Sequence, residues 1–75
     1  MRYSKVIQQG LDFSEAMRIL LNGGKVTRAI WKGYWVIEDN EEFGEIIVAY
    51  LADGGKAVAT PYNSDMLGMD WMEVK

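Results

Sequence analysis

The sequence predicts an α+β fold, with one N-terminal helix packed on a small antiparallel sheet of about four to five strands. Three observations carry this. A single window, residues 12–22, repeats its apolar positions at helical period. Everything after it reads as short β-branched and aromatic runs. Those runs are separated by glycine, aspartate and asparagine, residues that turn the chain.

The helix is the clearest element. Asp12 is an N-cap type, and Glu15 three residues later completes a capping-box pattern. Phe13, Ala16, Met17, Leu20 and Leu21 form one apolar stripe. Asn22-Gly23-Gly24 ends the helix, because glycine takes the left-handed conformation without a Cβ penalty. Residues 25–30, KVTRAI, predict a short strand, and residues 34–38, YWVIE, a second, with Gly33 in the turn between. Asp39-Asn40-Glu41-Glu42 reads as a polar connection. EIIVAYLA, residues 45–52, is a strong strand signal. Asp53-Gly54-Gly55 marks a hairpin that returns KAVAT, residues 56–60, and Pro61 closes that strand for want of an N–H. Residues 63–68 suggest a turn or a single helical turn, and DWMEV, residues 70–74, a last strand. No repeat, linker or low-complexity segment interrupts the chain.

With 75 residues, the sequence is read as one domain, 1–75. So small a domain buries only about 60% of the surface its unfolded chain exposes. Disulfides or metals would usually reinforce it, yet the sequence has neither cysteine nor histidine. Meanwhile 49% of its residues are hydrophobic, including three Trp, four Tyr and two Phe. Apolar surface left over for another subunit is the natural reading, so a homo-oligomer is expected. In KVTRAIW, alternation puts Val26, Arg28 and Ile30 opposite Lys25, Thr27 and Ala29. In YWVIE it puts Trp35 and Ile37 opposite Tyr34 and Val36. Both faces carry apolar residues, as they would if one met the helix and the other a second subunit. No secretory h-region and no 18-residue apolar run occurs, so no membrane association and a cytoplasmic location are expected. The formal net charge of -3 disfavours long nucleic acid, whose binding needs many phosphate neutralisations, but it permits a small anion in a locally basic pocket.

Catalytic equipment is sparse. Without His or Cys, the three serines lack the base a nucleophilic triad requires. The carboxylates of residues 38–45 do not match a calcium loop and read as a solvated acidic turn. No enzyme activity, cofactor or metal is expected. What stands out is KVTRAIWKGYWVIED, residues 25–39, with Lys25, Arg28, Trp31, Lys32, Tyr34 and Trp35 close together. Trp35 reads as core. Trp31 sits where the chain turns, a position that leaves an aromatic open to stack on a ligand. A Trp ring beside a guanidinium suits a purine with a phosphate.

FSEAMRILLNGGKVTRAIW, residues 13–31, and SDMLGMDWMEV, residues 64–74, resemble the two ends of a family of small phage and bacterial proteins long described only as a domain of unknown function. Its opening has an F-x-E-A-L helix leading into a G-K segment followed by V-x-R-x-x-W, matched here by Phe13, Glu15, Ala16, Gly24, Lys25, Val26, Arg28 and Trp31. Its ending, D-[ML]-L-x-x-D-W, is matched by Asp65, Asp70 and Trp71. The family includes the second type of Thoeris anti-defence protein. The resemblance implies a non-catalytic α+β homotetramer that sequesters, in the bacterial host cytoplasm, the cyclic ADP-ribose isomer of Thoeris defence. Some relatives take cyclic oligonucleotide signals of CBASS defence. Relatives often have a Trp and a proline-serine pair where this chain has Ala59-Thr60-Pro61-Tyr62-Asn63-Ser64, and a longer, less charged segment in place of residues 38–45.

Two functions are therefore in view. The first is a sequestering protein for a small anionic cyclic nucleotide. Its ligand would stack on Trp31, Tyr34 or Tyr62 and meet Arg28, with Lys25 or Lys32, through its pyrophosphate. Asn63, Ser64 and Asp65 would read ribose or base edges. The second is an acidic protein–protein interaction module without a small-molecule ligand, motivated by residues 38–45 and the net charge. The residues themselves also offer plain structural roles: Trp71 filling the core, and Asp65 or Asp70 accepting backbone N–H bonds at a short helical turn.

Overall fold

The computed structural model describes residues 3–75. Along the chain run β1 (Val6–Leu11), α1 (Phe13–Leu21), β2 (Lys25–Arg28), β3 (Tyr34–Asn40), β4 (Gly44–Tyr50), β5 (Lys56–Val58), α2 (Asn63–Leu67) and β6 (Trp71–Val74). All pairings are antiparallel, in the order β1-β6-β2-β3-β4-β5. The α+β class is as expected, with six strands where four to five were expected. The additional strand is β1. Its Gln8-Gln9-Gly10 stretch has low strand propensity, so pairing with β6 creates it rather than local preference. The two ends of the described residues meet there: Ser4 N–H donates to the Lys75 carbonyl at 2.7 Å, and Lys75 N–H to that of Lys5 at 2.8 Å.

The helix caps are those the sequence describes. Glu15 N–H donates to Asp12 Oδ1 at 2.8 Å, and Asp12 N–H to Glu15 Oε1 at 3.0 Å. The Glu15 N–H, then the Ser14 hydroxyl, hold the Asp12 carboxyl below its ordinary pKa. At the other end Gly23, with φ 88°, lets Gly24 N–H reach the Ile19 carbonyl at 2.9 Å and Gly23 N–H that of Leu20 at 3.0 Å, the Schellman arrangement. Ala16 and Leu20 are buried and Phe13 and Met17 pack beside them. Leu21, predicted on the stripe, is exposed, and Ile19 packs in its place.

Several strand boundaries differ from expectation: β4 ends at Tyr50 and β5 at Val58, two residues short of the expected 52 and 60, and two further differences have a visible cause. β2 stops at Arg28, not Ile30, because Ala29 N–H turns to the Asp70 carbonyl and Trp31 N–H to that of Arg28. Ile30 is left exposed. The first two residues of the expected polar connection instead extend β3, pairing Asp39 with Glu45 and Asn40 with Gly44. The turn proper is an Asn turn, in which Asn40 Oδ1 accepts the N–H groups of Glu42 and Phe43.

The main core lies between α1 and the sheet: Leu11, Ala16, Leu20, Val26, Trp35 and Trp71, the last fully buried. On the sheet's other face Tyr34, Met72 and Val74 form a second cluster with Tyr3, Val36 and Tyr50. Beside it Glu38 accepts hydrogen bonds from the Tyr50 hydroxyl and, at 3.3 Å, from Lys56 Nζ, so one carboxylate ties β3, β4 and β5 together. Among the described residues no helix is long and apolar enough to cross a membrane.

Candidate functional site

Three indoles organise one end of the main core. Trp31 lies 5.2 Å from Trp35 and meets Trp71 edge-on at 5.3 Å, and Trp35 is 5.3 Å from Trp71. Such tilted and edge-on contacts suit the ring quadrupoles. Trp71 is anchored further, its Nε1 donating to the Asp65 carbonyl at 2.8 Å. Trp31 is only half-buried, so part of its ring stays open after two indoles are packed against it.

The connection that carries Trp31, between β2 and β3, is held at several points. Trp31 N–H donates to the Arg28 carbonyl, and Thr27 Oγ1 donates to the Gly33 carbonyl at 2.7 Å. Gly33 is required by close approach, since a Cβ there would run into the Tyr50 carbonyl oxygen.

Arg28 braces this region from β2. Its Nε donates to Asp70 Oδ1 and its Nη1 to Asp65 Oδ1, both at 2.9 Å. The Arg28 and Asp65 side chains are 13% and 6% exposed, so little water competes. Asp70 first, then Asp65, raise the guanidinium pKa above its ordinary value. The guanidinium carbon lies 5.9 Å from the Trp31 ring centre. Asp65 Oδ2 also accepts Tyr62 N–H at 2.8 Å. Asp65 therefore fills the backbone-accepting role open to it in the sequence, and adds an ion pair. Asp70 spends its carboxylate on Arg28 instead.

Between the β2–β3 connection, the β4–β5 hairpin and the chain leading into α2 lies a cleft of about 680 Å³. Of the predicted site residues, Arg28, Trp31, Tyr34, Tyr62, Ser64 and Asp65 border it, while Lys25 and Asn63 do not. Lys25 stands on the far face of the sheet, its Nζ 4.8 Å over the Tyr34 ring. Tyr34 borders the cleft, but its ring belongs to that far-face cluster, stacked on Tyr50 at 5.2 Å. Tyr62 is 71% exposed at the rim.

The sequence reading missed the floor. Ala49 pairs with both Trp35 and Ala57, and with Ala59 these alanines border the cleft. Small side chains there leave room beside the indoles that larger ones would fill. Their alternation in KAVAT was a visible signal, but only cross-strand register shows that Ala57 meets Ala49. Among the described residues, no group of three or more His, Cys, Asp or Glu gathers as a metal site. The cleft offers indole and phenol faces, hydroxyls from Thr60, Tyr62 and Ser64, and the ammonium of Lys32. Those are means to hold a planar polar molecule by stacking and hydrogen bonds.

A comparison with curated proteins finds no match. Residues 11–74, from the end of β1 through the whole of β6, match the Thoeris anti-defense 2-like (Tad2-like) domain. That span takes in both helices, the three indoles and every residue bordering the cleft, and the chain belongs to the Thoeris anti-defense 2-like family, a membership that supports a role in countering Thoeris defence.

Proposed function

We propose that this protein sequesters a cyclic nucleotide immune signal in the bacterial cytoplasm, a cyclic ADP-ribose isomer of Thoeris or a cyclic oligonucleotide of CBASS, and so inhibits anti-phage defence without bond chemistry. The observation that carries the reading is the half-open indole of Trp31 at the wall of a cleft of about 680 Å³, a volume within the range of small-molecule sites. Stacking a base contributes about 1–3 kcal/mol, and the cleft adds hydroxyls for ribose and a cation for phosphate. A homo-oligomer, a tetramer by family resemblance, belongs to the same proposal. It is supported by the apolar cluster on the sheet face away from α1.

The test is a thermal-shift screen of the purified protein against cyclic ADP-ribose isomers and cyclic di- and trinucleotides. A ligand at 100 times its Kd adds about 2.7 kcal/mol, and the shift should vanish in Trp31→Ala yet persist in Glu41→Ala. Ligand recovered unchanged from the complex distinguishes sequestration from turnover. A second reading, docking on a host protein, is favoured by the β3–β4 tip, where Phe43 is 72% exposed next to Glu41 and Glu42. No shift with any signal, together with salt-sensitive capture of a host protein, would turn the assignment to it.

A further inference from the structure

We infer that Lys32 is the cation that meets the ligand's phosphate, and that Arg28 is a positioning residue for Trp31 rather than a phosphate contact. This rests on the sequestration reading and assigns its charge chemistry. Among the described residues, Arg28 and Lys32 are the two cations that border the cleft. Arg28 already gives Nε and Nη1 to two carboxylates, and the three groups together carry a formal charge of minus one, which repels a phosphate. Lys25 and Lys56 lie over the Tyr34 and Tyr50 rings, at 4.8 and 5.6 Å, on the sheet face away from α1. Lys32 differs from all three. It is exposed, and among the described residues it forms none of the ion pairs. It also sits between Trp31 and Gly33, in the connection that Thr27 and the Arg28 carbonyl pin. A base stacked on Trp31 would thus bring its phosphate to the neighbouring ammonium. One unopposed charge suits a nucleotide with one phosphate or a bridging pyrophosphate, and disfavours a highly charged polyphosphate.

The experiment is calorimetric titration of the purified protein with cyclic ADP-ribose and with cyclic di-GMP at low and high salt. Its variants are Lys32→Met, Lys32→Arg, Arg28→Lys and Trp31→Ala. Lys32→Met should weaken binding on the order of tenfold at low salt. The loss should shrink as salt rises, because the missing attraction is one that salt screens. Lys32→Arg should restore both affinity and salt dependence, a rescue that a merely structural role would not give. Arg28→Lys should lower the melting temperature and weaken binding by a factor that does not change with salt. Unchanged affinity in Lys32→Met, with binding abolished in Trp31→Ala, would overturn the inference and leave sequestration standing. A salt-dependent loss in Arg28→Lys with none in Lys32→Met would return the phosphate to Arg28. Absence of binding of either probe to the unaltered protein, together with no shift from any signal in the thermal screen, would overturn the sequestration reading and this inference with it.

Discussion

Asp65 shows how much one side chain can hold. Its carboxylate accepts from Arg28 and from Tyr62 N–H, and its backbone carbonyl accepts from Trp71. Replacing it by alanine leaves the Arg28 guanidinium half-partnered in a place that excludes most water. Removing one member of a buried pair is strongly destabilising, so Asp65→Ala should cost about 3 kcal/mol, read from the midpoint of urea unfolding. Asp65→Asn keeps an acceptor for Tyr62 N–H and should lose less. The sequence shows Asp65 at a short helical turn and Arg28 on a strand, 37 positions apart. Only the insertion of β6 beside β2, which brings α2 to the Arg28 end of that strand, joins them.

At the scale of elements, the β2–β3 connection and the β5 edge shape the cleft. Gly33→Ala would force its Cβ against the Tyr50 carbonyl and push the connection off β4. Since the obstacle is backbone, relief requires moving a strand. We expect a loss of at least about 2 kcal/mol in denaturant titration, along with reduced binding. β5 has three residues and all are exposed, so its ladder is short, and the Glu38 contacts reinforce it.

The Tyr50 hydroxyl first, then Lys56, hold the Glu38 carboxyl below its ordinary pKa of 4.5. The hydrogen bond to Glu38 raises Tyr50 above 10.0 and Lys56 above 10.5. A depressed carboxylate favours the fold above its ordinary pKa, and that advantage is lost as pH falls through the folded value. The two raised groups favour it below theirs, and lose that as pH rises through the folded values. Glu38→Gln should therefore lower the melting temperature at neutral pH. The gap from the parent should close on acidification below about pH 4.5, which a melting profile across pH would show. The sequence reading placed Glu38 in a solvated acidic run. Register with Tyr50 and Lys56 across two strands is what changed its role.

For the whole molecule, the question is what meets the sheet face away from the helices. Tyr34, Val36, Met72 and Val74 cluster there while α1 covers the opposite side, and a second copy is the proposed occupant. Analytical ultracentrifugation should then give a mass that is a multiple of 8.5 kDa. Val36→Glu, which places a charge among these apolar groups, should shift it towards the monomer. A monomeric parent protein at micromolar concentration would refute the assembly.

The sequence by itself determined the helix and its two caps, the β3–β4 and β4–β5 hairpins, the core roles of Trp35 and Trp71, and the family signature at the two ends of the chain. These follow from local periodicity, turn chemistry and residue type, which act within a few positions. The tertiary structure alone decided that β1 exists, that Arg28 is bound to Asp65 and Asp70, that Lys25 faces away from the cleft, and that three alanines make its floor. The first two depend on pairing of β6 with strands distant in sequence, and the others on which residues share a face once register is set by burying the two faces of the sheet together.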